Sequence, residues 1–535
     1  MARITIDPIT RIEGHLKIEV EVTDNKVTDA WSSGTLFRGI ETILKGRDPN
    51  DAWLFAQRVC GVCTYVHGEA SVRSVEHALD IKVPPNARIV RNLLMGSQFV
   101  HDHLIHFYHL HSLDWVDIVS ALSADPKETT ELAKTLSPNA PSIDFAAAKS
   151  RLQKFVNSGQ LGIFNGGYWG HSAYLLTPEE NLLFAAHYLY VLRQQLIAAE
   201  MQAIFGAKNP HVQSLRVGGV TCKYDINSER IARFRSLLSQ MRSLIDSIYI
   251  PDIIHITKKY KSWKGIGGFT NYMCYGGFPL NDSGAFLFNP GCILNRSTTA
   301  NYLDISGISE HVSHSWYSGS ALHPSVGKTD PAYDQYSTDS RYSWLKAPRY
   351  ESKAMEVGPL ARILINHKNI SSLELLVNAF LLDTELVLSD LHSTLGRTAA
   401  RALETKVIAD AMNSWLNDLD PDGEVLTEAA IPSSGQIKGY GLTEAPRGAL
   451  GHWIDIQDGK INNYQMVVPS TWNLGPRDNN DMRGPVEQAL IGTPVEDPSK
   501  PIEILRIIHS YDPCLACAVH VLDQKKNSSY TVKVS

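Results

Sequence analysis

Cysteine is scarce in this chain, with seven in 535 residues. That is too few for a disulfide framework, and an odd number cannot pair fully. Long apolar runs are missing too. No window reaches the roughly 18 uncharged apolar residues that a membrane-spanning helix needs. The strongest candidate, NLLFAAHYLYVLRQQLIAAEMQAIFGA, is broken by His187, Arg193 and Glu200. The N-terminus, MARITIDPITRIEGHLKIEVEV, carries Arg3 and Asp7 and has no apolar core, so it is not a secretory signal. The chain alone reads as soluble, and work outside the cytoplasm would require something else to carry it. There is no basic excess: 50 Lys and Arg face 56 Asp and Glu, a net charge of −6, which argues against a nucleic-acid partner. Internal repeats and low-complexity linkers are absent as well. What is present is ordinary globular composition, 43% hydrophobic and 20% charged, which excludes a disordered chain.

Residues 16–22, LKIEVEV, alternate apolar and charged side chains before the turn residues DNK, a half-buried strand entering a hairpin. Near the other end HWIDIQ, Asp458-Gly459 and KINNYQMVV predict a second hairpin. Between them the pattern is mostly helical, with helices expected over 86–112, 178–206, 228–260 and, in two or three segments, 372–418. Segments 263–350 and 420–450 read as long ordered loops. The expected fold class is α+β, mainly helical: one large helical body with β elements formed by the N- and C-terminal segments.

Four of the cysteines fall into two Cys-x-x-Cys pairs about 450 residues apart, Cys60/Cys63 in RVCGVCT and Cys514/Cys517 in DPCLACAVH. Two thiolates at this spacing can turn onto one ion, and four favour zinc, iron or nickel. A redox dithiol in each pair and a structural zinc are the alternatives. Neither pair has the βαβ setting of a redox dithiol, and a zinc staple rarely joins the two ends of so long a chain. His67 and His520 follow the pairs closely. Each is a candidate partner of a metal, against the blander reading of a core histidine. Cys222, Cys274 and Cys292 have no paired spacing and read as small buried residues.

These pairs, with RIEGH at 11–15, LFRGIE at 36–41, APRG at 445–448, VVPSTWN at 467–473 and DPCLACAVH at 512–520, resemble the large subunit of nickel–iron hydrogenases, closest to the membrane-associated uptake group. The resemblance runs along the whole chain. It implies reversible heterolytic cleavage of H2, mainly in the direction of uptake. It implies that Cys60, Cys63, Cys514 and Cys517 bind nickel, and that Cys63 and Cys517 bridge to an iron carrying one carbonyl and two cyanides. Glu13 is implied as the proton relay next to Cys514; from the residues alone it is as readily an ion-pair partner of Arg11. Arg447 is implied as a cation over the metals, held by Asp102 and Asp512. Pro446 and Ser470 are implied beside the diatomic ligands, and His67 is placed with them. Glu41, the carbonyl of Met466 and His520 are implied ligands of a magnesium ion. The histidines from His101 to His111 cannot share one point at helical spacing and read as buried, hydrogen-bonded helix residues.

The family's large subunits are trimmed by a dedicated endopeptidase after the final histidine, once nickel-insertion factors have acted. Here residues 1–520 would be the mature unit and 521–535 a removable extension. The chain has no cysteines for iron–sulfur clusters, so a small subunit carrying them is implied, as a heterodimer or a dimer of heterodimers. A membrane electron acceptor and a periplasmic position, reached on the small subunit's signal, are implied with it. A hydrogen sensor, a non-catalytic relative of respiratory complex I and a zinc scaffold are the competing readings. One residue departs from the expected pattern: Glu69 puts a carboxylate where small apolar side chains are expected, either as the partner of a neighbouring base or as a group that tunes proton traffic or oxygen sensitivity.

Overall fold

The computed structural model describes residues 2–159, 161–164, 166–333 and 340–515. Cys517, His520 and the 521–535 extension lie outside them. The chain opens with β1 (Ala2–Ile6), β2 (Leu16–Thr23) and β3 (Lys26–Gly34), an antiparallel sheet in the order β1-β2-β3. Along β2 the apolar Leu16, Ile18, Val20 and Val22 are buried and the charged residues between them are half-buried, as a period of two requires. Asp24 and Asn25 turn the hairpin with φ of 50° and 58°, the left-handed pair that matches strand twist. Strand β1 was not anticipated from the sequence.

Helix α1 (Val66–Ala78) follows the first cysteine pair, and α2 (Pro85–Ile105) runs on through a π-helical turn, His106–His111. The longest helix, α3 (Pro178–Gly206), starts at a capping box in which Thr177 and Glu180 satisfy each other's backbone N–H. The expected helix over 228–260 divides into α4 (Ser228–Leu244), a π turn at Ile245–Tyr249 and α5 (Ile250–Lys259). Pro251 explains the division: it has no N–H to continue the ladder, so the preceding turn widens. The stretch over 372–418 is likewise two helices, α6 (Ser371–Thr384) and α7 (Thr394–Trp415). Glu385, at φ 54°, ends the first, and the Ser393 hydroxyl accepts from Gly396 N at 3.2 Å to start the second.

Short strands pair within 263–350, where a loop was expected, and near the C-terminal end another three-stranded sheet is formed by β4 (Gln436–Ala445), β5 (Gly448–Gln457) and β6 (Lys460–Val467), in that order, with Asp458-Gly459 at the tight turn. Residues 436–445 and 448–450 are therefore strand, where a loop was expected. The glycines that suggested a loop are there for close packing: a Cβ on Gly439 would lie 2.2 Å from Ser74 O, and one on Gly441 1.9 Å from Ala70 O. They let β4 lie directly on α1. The last helix, α8 (Ile502–Ser510), leads to Cys514.

One buried apolar cluster runs from Ile9 to Leu515, so the two chain ends share a core. The N-terminal hairpin takes backbone hydrogen bonds with the C-terminal segment, Val27 N to Thr493 O at 3.0 Å and Val495 N to Asn25 O at 2.9 Å. Among the described residues no helix is long and apolar enough to cross a membrane.

Candidate metal centre

Cys60 ends a short 3-10 turn in extended conformation, which aims its sulfur back over the chain. The N–H groups of Val62 and Cys63 donate to that sulfur at 3.2 and 3.1 Å. Such donors favour a thiolate. From the other end, α8 stops at Ser510, and Asp512 takes φ 54° before Pro513, turning the chain inward. Glu13 and Cys514 then pair as a parallel bridge, with Leu515 N donating to Glu13 O at 2.6 Å. Cys514 N donates to the Ser470 hydroxyl oxygen at 2.9 Å.

The outcome is a convergence of sulfurs. Cys60 Sγ and Cys514 Sγ are 3.3 Å apart, and the three sulfurs of Cys60, Cys63 and Cys514 lie within 4.8 Å of one another. A disulfide would need about 2.05 Å. Three buried sulfurs this close are within reach of one ion whose thiolate bonds are about 2.3 Å. Their donor set suits a soft or borderline metal. Cys222, Cys274 and Cys292 are buried elsewhere, and burial pushes the Cys222 thiol up to about 12.

Arg447, 3% exposed, sits on the turn between β4 and β5. Its Nη1 lies 3.0 Å from Asp102 Oδ2 and its Nη2 3.1 Å from Asp512 Oδ1. Burial alone would lower its pKa, but the charges of Asp512, Cys514 and Asp102 outweigh it and hold the guanidinium charged. Asp102 also accepts from Gln98 Nε2 at 2.6 Å. The carbonyl of Pro446 accepts from Arg362 Nη2 at 2.8 Å, which fixes the turn. Glu13 is half-buried. Burial and then the negative charge of Cys60 raise its pKa, while Arg447 and Arg38 work against the rise.

His67 is buried, and desolvation pushes its pKa down to about 4. Its Nδ1 is 3.1 Å from His452 Nε2, and His452 Nδ1 is 2.8 Å from the Tyr464 hydroxyl. Glu41 is buried beside β6: one carboxylate oxygen accepts from Met466 N at 2.7 Å and the other from the Thr329 hydroxyl. The structure thus brings together Cys60, Cys63, Cys514, Glu13, Arg447, Asp102, Asp512 and Ser470, and puts Glu41 next to Met466.

Glu69 has a local explanation. It faces away into an ion-pair cluster, with Arg73 Nε at 2.6 Å, the Tyr65 hydroxyl at 2.8 Å and Arg91 Nε at 3.8 Å. Burial would raise its pKa, but the two arginines outweigh burial and hold it ionised. The histidine-rich stretch is hydrogen-bonded residue by residue: His103 to Glu404 at 2.6 Å, His106 to His509 O at 2.7 Å, His109 to Tyr188 O at 3.2 Å. His111, Asp114 and His509 cluster closely, yet the atoms a cation would use are engaged. Asp114 takes both histidines, at 3.0 and 2.7 Å, and Arg11 at 2.5 Å. Arg11 thus pairs with Asp114, not with Glu13. Reading the sequence missed Gln98, His452 and Tyr464. GHW at 451–453 and the alternation in β6 were the signals available, and neither points at chemistry unaided.

A buried cluster of thiols with a clamped guanidinium beside it and a carboxyl of raised pKa is a site that can hold a metal ion next to acid–base groups. The family model described as nickel-dependent hydrogenase matches residues 38–520, and a HoxL-like model matches residues 3–32. The hydrogenase-2 large chain of Escherichia coli (strain K12) is 44% identical over 99% of this chain and 99% of its own length. The quinone-reactive Ni/Fe-hydrogenase large chain of Wolinella succinogenes is also 44% identical, over 99% and 98%. The solved Ni-Fe-Se hydrogenase from Desulfovibrio vulgaris Hildenborough superposes with a TM-score of 0.81 at 37% identity, covering 97% of this chain and all of that one. The chain belongs to the nickel-dependent hydrogenase family. It is the catalytic large subunit of a nickel–iron hydrogenase used for H2 oxidation.

Proposed function

We propose that this chain oxidises H2 with Cys60, Cys63, Cys514 and Cys517 as the ligands of the metal pair, Cys514 and Glu13 as the proton exit, and Arg447 as the fixed cation beside them. The observation that carries the reading is the convergence of three buried sulfurs from opposite chain ends, next to a guanidinium clamped by two aspartates. A nickel–iron pair with one carbonyl and two cyanides on iron would supply the Lewis acidity and redox range that cleavage of H2 requires. Arg447 holds its charge in place through Asp102 and Asp512. The Cys514 sulfur accepts a proton, and Glu13, tied to the Cys514 backbone, passes it on, away from the metals. A carboxyl whose pKa is raised by burial and a neighbouring negative sulfur suits that transfer. The Ser470 oxygen already accepts from Cys514 N, which leaves its hydroxyl hydrogen for a cyanide. Pro446 lines the same pocket, and His67 closes it from the α1 side.

A magnesium ion held by Glu41, the Met466 carbonyl and His520 fits the carboxylate chemistry of that corner, because each Glu41 oxygen keeps a lone pair beyond the hydrogen bond it accepts. With four of seven cysteines spent on the metals, the electrons leave through an iron–sulfur small subunit. The name of the Wolinella relative, quinone-reactive, supports a membrane acceptor reached indirectly and an extracytoplasmic position. Residues 521–535 are the extension removed after nickel insertion. Metal analysis of the purified complex tests the reading: one nickel and one iron per chain, with H2-dependent dye reduction, are expected, whereas zinc alone overturns it.

A further inference from the structure

Glu13 stands between two residues in the left-handed region, Arg11 at φ 57° and Gly14 at φ 85°. Glycine adopts that region freely, but a residue with a Cβ does so at a cost, so something must hold Arg11 there. Its own side chain is one holder: Nη1 donates to Leu110 O at 2.7 Å and Nη2 to Asp114 Oδ1 at 2.5 Å. His509, in the last turn of α8, is the other. Its Nε2 lies 2.9 Å from the carbonyl oxygen of Thr10, and its Nδ1 lies 2.7 Å from Asp114 Oδ2. Asp114 and His509 are both fully buried. We propose that His509 and Asp114 are positioning residues: with Arg11 they clamp the left-handed turn before Glu13, and so aim its carboxyl at the cysteine sulfurs.

The hydrogens of the clamp are fixed by its acceptors. A carbonyl oxygen only accepts, so His509 Nε2 donates to Thr10 O. Burial would raise the pKa of Asp114, but the charges of Arg11 and His509 hold it well below the ordinary carboxylate range. Asp114 is therefore ionised and also only accepts, so His509 Nδ1 donates to it. His111 is fixed in the same way. The indole nitrogen of Trp115 only donates, and it donates to His111 Nε2 at 3.0 Å, which leaves the ring hydrogen on Nδ1 for Asp114, also at 3.0 Å. The clamp reaches the metal site through both neighbours of Glu13. His509 lies just before Cys514 in the chain, and Glu13 is bridged to that segment by Glu13 N to Pro513 O at 3.3 Å and Leu515 N to Glu13 O at 2.6 Å. Glu13 is thus held on one side by the backbone around Cys514 and on the other by His509, Asp114 and Arg11. The charges of Cys60 and Arg447 both act on its carboxyl, which puts it among the charged groups of the site. A proton is handed over at hydrogen-bond reach, about 2.6–3.2 Å. A turn that relaxes to negative φ at Arg11 would swing the carboxyl out of that reach.

The inference rests on the relay reading of Glu13. It is tested in the purified, nickel-loaded complex with its small subunit, using His509→Leu, His509→Gln, Arg11→Ala and Arg11→Gly, with Glu13→Gln as the reference. Two reactions separate the steps. Conversion of para- to ortho-hydrogen needs only cleavage and recombination at the metals. Exchange of D2 with water, giving HD and HOD, needs one deuteron to leave and one proton to enter. Expected in His509→Leu and Arg11→Ala is a loss of roughly 10-fold or more in D2–water exchange per nickel, with para–ortho conversion held. Gln keeps an N–H for Thr10 O, so His509→Gln should recover part of the exchange. Gly accepts φ 57° without a clamp, so Arg11→Gly should exceed Arg11→Ala. Should His509→Leu not assemble, Arg11→Gly against Arg11→Ala decides alone. Wild-type exchange in Arg11→Ala, an equal fall of both reactions, or equal exchange in the Gly and Ala variants would overturn the clamp. Wild-type D2–water exchange in Glu13→Gln would instead sink the relay reading.

Discussion

Replacing Arg447 with lysine separates charge from geometry at the proposed site. The guanidinium spans two carboxylates, Asp102 at 3.0 Å and Asp512 at 3.1 Å, with the side chain 3% exposed. Lysine keeps the charge but presents it at one point, so it can serve one aspartate and strands the other. A charge-assisted hydrogen bond of this kind is worth about 1.5–3 kcal/mol. If the clamp positions the cation for the transition state, losing one arm costs about 2–3 kcal/mol, or roughly 30- to 150-fold in rate. The assay is H2-dependent dye reduction by the purified heterodimer, normalised to nickel. Arg447→Lys, Asp102→Asn and the double variant form a cycle, and the partners should couple by about 0.5–3 kcal/mol. Wild-type turnover per nickel in Arg447→Lys, or strictly additive losses in the cycle, would refute the clamp.

Other perturbations separate structure from chemistry. Glu69→Ala removes the carboxylate that Arg73 and the Tyr65 hydroxyl bond, while Arg91 keeps its pair with Glu76, and should destabilise the chain by about 1–3 kcal/mol, read by denaturant unfolding, while turnover per nickel in the folded fraction holds. Asp114 joins Arg11, His111 and His509, and although burial would raise its pKa, Arg11 and His509 hold it well below the ordinary carboxylate range. The folded state therefore binds its proton less readily than the unfolded one. Its contribution is full above about pH 4 and lost as pH falls further. Asp114→Asn should lower stability at neutral pH and flatten the acid limb of the stability curve. Intact mass of active protein should end at His520; an active, nickel-loaded chain retaining 521–535 would contradict the proposed trimming.

Much of this was legible in the residues because spacing and alternation are local. The period of two in LKIEVEV gave β2, Asp458-Gly459 gave the β5–β6 turn, and the Cys-x-x-Cys spacing gave Cys60 with Cys63. The failures were non-local. Gly439 and Gly441 read as loop residues because a sequence does not show a helix lying against them. Pro251 divided a helix whose apolar pattern looked continuous. For Glu69 the choice between a neighbouring base as partner and a tuning role at the metals was open until Arg73 and Arg91 were seen beside it. Gln98, His452 and Tyr464 acquire meaning only through partners contributed by other elements. Arg11 was weighed as a partner for Glu13, and three-dimensional proximity gave it to Asp114 instead.

The central claim is that these cysteines hold a nickel–iron pair with diatomic ligands. The infrared spectrum of the purified complex tests it most directly. The account predicts one carbonyl band and two cyanide bands that shift together when the protein is reduced with H2. A fully metallated protein with no such bands, or with bands indifferent to H2, would contradict it.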